Sequence, residues 1–95
     1  MKRLALLLAL AGPLAASAES GLVVFHTRCS RCHGEDGRGS AVFTTPSFLA
    51  STLTAGEMAQ VIGGGRGRMP AFRGKLSGEE IAAVAAYVKA GLPAK

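Results

Sequence analysis

The chain has 95 residues, with 11 basic and 6 acidic side chains and a net charge of +5. With two cysteines, five aromatics and no tryptophan it can build one domain with a thin apolar core, and chains this small lean on a disulfide, a metal or another staple. No basic tract and no series of stacking aromatics is present, which excludes nucleic-acid binding as the reason for the positive charge.

Lys2 and Arg3 supply a positive start, Leu4 to Ala11 is an unbroken apolar run, and Ala16-Ser17-Ala18 has the small residues of a cleavage site. The run is far below the roughly 20 residues that span a bilayer, and Pro13 follows it closely. No cysteine lies at the cut, which argues against a lipid-modified anchor. Residues 1–18 are therefore expected to be a cleaved secretory signal. Residues 19–95 then form the mature domain, placed in the periplasm or otherwise outside the cytoplasmic membrane, with nine basic side chains against six acidic ones.

The first helix is expected from about Ser20 to Cys32, ending near Gly34. Gly21, Phe25 and Cys29 are spaced by four and fall on one face. Residues 34–40 form a turn-rich loop without a period, and Ala41 to Thr52 is irregular, broken at Pro46, with one short turn around Phe48. Thr54 and Glu57 have capping-box spacing and open a second helix whose buried side is Met58, Val61 and Ile62; Gly63-Gly64-Gly65 ends it. Ser77 and Glu80 cap a third helix, with Ile81, Val84, Ala85 and Val88 as its apolar stripe and Gly91 and Pro93 as its stop. No strand pattern stands out, so the fold class is all-α.

Within the first helix, Cys29-Ser30-Arg31-Cys32-His33 has the spacing of a c-type haem attachment. Two thiols on one side of a helical turn can reach the two vinyl groups of one porphyrin edge, and His33 is placed to bind the iron from below. Short Cys-x-x-Cys runs also serve thioredoxin-like redox sites and zinc sites. A Cys29–Cys32 disulfide would close too short a loop to constrain the unfolded chain much. A large flat apolar cofactor, in contrast, would supply the core volume that the sequence lacks.

The other axial ligand is sought among Met58, Met69 and His26. His26 lies on the same helix as His33, seven residues earlier, and is badly placed for the opposite ring face. Met58 sits on the apolar side of a helix, where a methionine packs in the core. Met69 lies in a loop, is stiffened by Pro70, and follows glycines that let the backbone approach a flat surface. Met69 is the expected sixth ligand. Histidine and methionine together leave iron no open position, which suits reversible one-electron transfer and not oxygen activation.

Gly21, Phe25, the Cys29–His33 motif, Gly34, Pro46, Met69-Pro70 and the Tyr87-Val88 end of the last helix together resemble a small bacterial class I cytochrome c, over nearly all of residues 19–95. The resemblance implies three main helices wrapped around one haem c attached through Cys29 and Cys32. It also implies N- and C-terminal helices crossing at Gly21, Phe25, Val84 and Tyr87, and a Pro46 carbonyl accepting from His33. No tryptophan is available to hold a propionate, which leaves Arg66 and Arg68 as candidates.

The function so implied is electron carriage between extracytoplasmic redox proteins that dock at the haem edge, by a monomer or a subunit of a complex, and not enzymatic. The basic residues Arg28, Arg31, Arg66, Arg68, Arg73 and Lys75 would form a rim steering an acidic partner. The alternative is an electron-relay subunit of a larger dehydrogenase or oxidase. A haem ligand sensor or peroxidase would need a displaceable Met69, and a thiol oxidoreductase would need free cysteines.

Overall fold

The computed structural model describes residues 18–93. The expected signal segment therefore lies outside the described residues, Ala18 excepted. Helix α1 begins as the α-helical stretch Ala18–Val24, widens into a π-helical turn over Phe25–Cys29, and closes with the α-helical turn Ser30–His33. Helix α2 spans Ala55–Gly64 and helix α3 spans Gly78–Lys89. Among the described residues the only extended pairings are isolated bridges, Ser40 with Thr45, Arg66 with Met69 and Arg73 with Leu76.

Both later helices start where the capping boxes predict. Thr54 Oγ1 accepts from the Glu57 amide at 3.0 Å, and Glu57 Oε1 accepts from the Thr54 amide at 2.9 Å. Ser77 and Glu80 repeat the arrangement at 3.0 and 2.8 Å. Each box satisfies two amides that a helix start leaves without partners. Helix α3 stops in a Schellman motif: Gly91, at φ +94°, donates to Val88, and Leu92 donates to Tyr87.

The π turn in α1 departs from the uniform α-helix that the sequence predicts. Ser30 donates its amide to the Phe25 carbonyl, five residues back. Two hydroxyls serve neighbouring carbonyls: Thr27 Oγ1 donates to Val23 at 2.8 Å, and Ser30 Oγ to His26 at 2.9 Å. Such hydroxyls compete with backbone donors and loosen a helix locally. The face of Gly21, Phe25 and Cys29 survives the change; Gly21 and Phe25 are buried, and Cys29 is partly buried against the core.

The core is built where α1 crosses α3. A Cβ on Gly21 would stand 2.4 Å from the Ala83 carbonyl oxygen and 2.7 Å from Tyr87 Cβ, so glycine alone allows this approach. Phe25 and Val84 are fully buried beside the crossing. The Phe25 ring lies 5.8 Å from that of Tyr87, and 6.2 Å and nearly edge-on to that of Phe48. Helix α2 adds Met58 and Ile62, and α3 adds Ile81 and Ala85. Met58 is thus a core methionine. Lys89 near the end of α3 reaches across to the Leu53 carbonyl at 2.9 Å, tying the two helices at α2's entry.

Gly21→Ala is expected to force the two helices apart and destabilise the protein by about 2 kcal/mol, the usual scale of overpacking. Chemical denaturation followed by far-ultraviolet dichroism measures it.

Candidate haem site

The two thiols lie at the C-terminal end of α1, and neither is in a disulfide. Cys29 closes the π turn, half-buried against the core, while Cys32 is exposed one turn on. Burial first, and the neighbouring Cys32 second, push the Cys29 thiol up to about 11. A redox-active Cys-x-x-Cys needs the opposite, a thiol whose pKa is lowered toward neutrality. The described residues also contain no cluster of three or more His, Cys, Asp or Glu side chains able to hold a metal ion, so a zinc site finds no ligand set.

His33 ends α1 with its ring 5.2 Å from that of Phe48. Burial lowers its pKa from the ordinary histidine value, favouring the neutral imidazole that a metal binds. Its Nδ1 is buried and has no hydrogen-bond partner. The His33–Pro46 hydrogen bond that the resemblance implies is therefore not formed in this structure. Pro46 is nonetheless brought close to the His33 backbone. Gly39 donates to the His33 carbonyl at 2.7 Å, and a Cβ on Gly39 would lie 2.1 Å from the Thr45 oxygen and 3.1 Å from the Pro46 oxygen. Gly39, at φ +93°, lets the Pro46 segment close against the motif, with its carbonyl lying against Gly39.

Met69 is held by a loop strung from the end of α2. Arg66 and Met69 exchange backbone hydrogen bonds at 3.1 and 2.9 Å around a tight turn. Beyond Pro70, Phe72 donates to the Ile62 carbonyl and Arg73 to the Gly63 carbonyl, both at 3.0 Å. These bonds satisfy carbonyls that the helix end leaves open. Gly65, at φ +78°, makes the return possible; a Cβ there would stand 2.8 Å from the Met69 oxygen and 2.9 Å from the Ala71 nitrogen. Met69 is half-buried and packs on the same core that Cys29 and Phe48 border. Arg66 and Arg68 flank it with exposed side chains and no ion pair among the described residues.

His26 is engaged elsewhere, its Nδ1 paired with Glu35 Oε1 from the loop after the motif. That pairing, and the place of Phe48 beside His33, are the site features that sequence reasoning misses. Phe48 announces itself only as a turn, and nothing local links positions 26 and 35.

The residues fit a covalently held haem on this structure's own terms. A neutral imidazole with one buried, unpartnered ring nitrogen, two free thiols one turn apart, and a pinned loop methionine all border one apolar core. Residues 16–88 match the family model described as "Cytochrome C oxidase, cbb3-type, subunit III". The chain belongs to the cytochrome c family. It is 38% identical over 87 residues to cytochrome c6 of Picosynechococcus sp., the match covering 78% of this chain and 73% of that relative. It is 37% identical over 83 residues to the cbb3-type cytochrome c oxidase subunit CcoP of Azospirillum brasilense, covering 78% of this chain but only 28% of that longer protein. Among solved structures, cytochrome c6 of the diatom Phaeodactylum tricornutum superposes with a TM-score of 0.66 at 34% identity, covering 78% of this chain and 92% of that one. The all-α, three-helix architecture is thus that of a small class I cytochrome c.

Gly65→Ala places a Cβ against the Met69 and Ala71 backbone at a positive φ, and is expected to loosen the Met69 turn. Amide hydrogen exchange at Arg66 and Met69 should rise about tenfold, since a left-handed conformation costs a non-glycine residue about 1–2 kcal/mol.

Proposed function

We propose that the chain holds a single haem c through Cys29 and Cys32, with His33 and Met69 as axial ligands, and works as a one-electron carrier outside the cytoplasmic membrane. The observation that carries this reading is the Cys29–His33 motif at the end of α1, with His33 Nδ1 buried and unpartnered. Bound haem supplies a reversible one-electron iron couple.

The chain's own residues do the rest. Cys29 and Cys32, one helical turn apart, would anchor the group by two thioethers. His33 would supply the imidazole that binds the metal, and a hydrogen-bond partner at its buried Nδ1 would fix the tautomer. Met69, pinned by its turn, would serve as the second protein ligand to the metal and so keep out oxygen and other ligands. Phe48, packed on the core and beside the His33 ring, would help keep water from the site. Arg66 and Arg68, the basic residues beside Met69, would pair with the propionates. Arg28, Arg31, Arg66, Arg68 and Arg73, none in an ion pair among the described residues, steer an acidic redox partner. Residues 1–18, as a signal peptide, deliver the chain across the membrane; among the described residues no helix is long and apolar enough to cross one.

A second reading, a relay subunit of a larger dehydrogenase or oxidase, draws on the likeness to CcoP, of whose length this chain matches 28%. Size exclusion of native extract separates the two, since a carrier elutes alone.

Protein made together with the haem-ligation machinery should have the mass of residues 19–95 plus one haem. Met69→Ala should lose the methionine-to-iron charge-transfer band at the red edge of the visible spectrum, bind carbon monoxide when reduced, and lower the midpoint potential. A colourless product, or a wild-type protein that takes up carbon monoxide readily, overturns the reading.

A further inference from the structure

Two residues other than glycine hold a positive φ among the described residues, Thr44 at +56° and Leu92 at +58°. Thr44 ends a tight turn in which its amide donates to the Ala41 carbonyl. Leu92 calls for another reason. A Schellman motif needs one left-handed residue, which Gly91 supplies, and here the leucine after it is left-handed as well. A bulky side chain disfavours that conformation, and Pro93 pushes the residue before it towards extended backbone. Such strain persists only where the surroundings overdetermine it.

What holds Leu92 is its packing. The side chain is half-buried and lies against the core. It meets Gly37, the buried glycine of the loop that follows the motif: a Cβ there would stand 3.2 Å from Leu92 Cδ1 and 2.6 Å from Phe48 Cε1. Leu92 and the Phe48 ring thus rest on the same stretch of backbone, and the Phe48 amide donates to the Gly37 carbonyl at 3.1 Å. The Phe48 ring also meets Phe25 nearly edge-on and packs beside the His33 imidazole, 5.2 Å from centre to centre. The strained leucine therefore closes a cage around an aromatic ring that bears on His33.

We infer that Leu92 is a positioning residue for His33: by closing the cage around Phe48, it fixes the plane of the imidazole. This rests on the reading of His33 as an iron ligand and adds what orients it. His33 Nδ1 has no hydrogen-bond partner, so side-chain packing is the constraint that the structure provides on the ring. Helix α3 thereby acts on the motif from two places. Ala83 and Tyr87 seat α1 at Gly21, and Leu92, past the end of α3, bears on the loop after His33. A ligand whose rotamer is locked by packing keeps its geometry when the iron changes charge, as one-electron transfer favours.

The test compares Leu92→Gly and Leu92→Met with the wild type, all haem-loaded. Leu92→Gly removes the side chain and also relieves the left-handed strain, so the variant should still fold. The porphyrin-methyl proton resonances of the ferric protein report the imidazole plane, because that plane governs how unpaired spin spreads over the porphyrin. Their spread should narrow in Leu92→Gly and return in Leu92→Met, which refills the same space. Exchange of the Phe48 amide should rise about tenfold, the scale set by a half-buried leucine, while that of Phe72 stays as it is. In a Phe48→Leu background, Leu92→Gly should leave the spread where Phe48→Leu alone puts it.

A spread that does not narrow, or that Leu92→Met does not restore, overturns the inference and leaves Leu92 as a helix stop alone. So does an equal rise in exchange at Phe48 and Phe72, which marks general loosening, or a full effect of Leu92→Gly in the Phe48→Leu background. A wild-type protein that takes up no haem, or whose haem iron lacks a histidine ligand, sinks instead the reading on which this rests.

Discussion

The contact on which the structure depends is the one where the backbone of Gly21 in α1 meets the Ala83 carbonyl and the Tyr87 Cβ of α3. Gly21 brings no side chain to it, so the helices can approach closely enough for Phe25 and Val84 to be wholly buried beside the crossing. The same helix carries Cys29, Cys32 and His33 about two to three turns beyond Gly21. Docking α1 therefore also sets the position of the motif. A thin core is sufficient because it has to orient one helix, and the remaining segments hang from that frame.

The segments that complete the site are loops, and each is brought in by a glycine with a positive φ. Gly39 lets the Pro46 stretch fold against the backbone of His33, and Gly65 turns the chain from the end of α2 so that Met69 faces the core and Phe72 returns to Ile62. In both places a Cβ would meet backbone atoms at 2.9 Å or less, and backbone cannot step aside as a flexible side chain can. The glycine content of the chain, which looks like a weakness for so small a domain, is what gives its loops fixed shapes.

Much of this was legible in the sequence because the relevant physics is local. The starts of α2 and α3 follow from Thr54 with Glu57 and Ser77 with Glu80, pairs three residues apart that complete their bonds without outside help. The motif at Cys29–His33 and the Pro70-stiffened Met69 also announce themselves by spacing and neighbours alone. The π turn did not, because it depends on where the hydroxyls of Thr27 and Ser30 point, and a helical pattern cannot encode that. The bond from Lys89 to Leu53 joins positions 36 apart, and the ion pair of His26 with Glu35 depends on a loop whose path only tertiary structure determines. Phe48 escaped for the same reason: its partners, Phe25 and His33, lie on a different element.

The widened turn at Phe25–Cys29 bears on how this chain is aligned with its kin. A single π turn takes up one surplus residue while leaving the helix on either side in phase. A homologue one residue shorter here would run as an unbroken α-helix with its small crossing residue and its thiols facing the same directions as these.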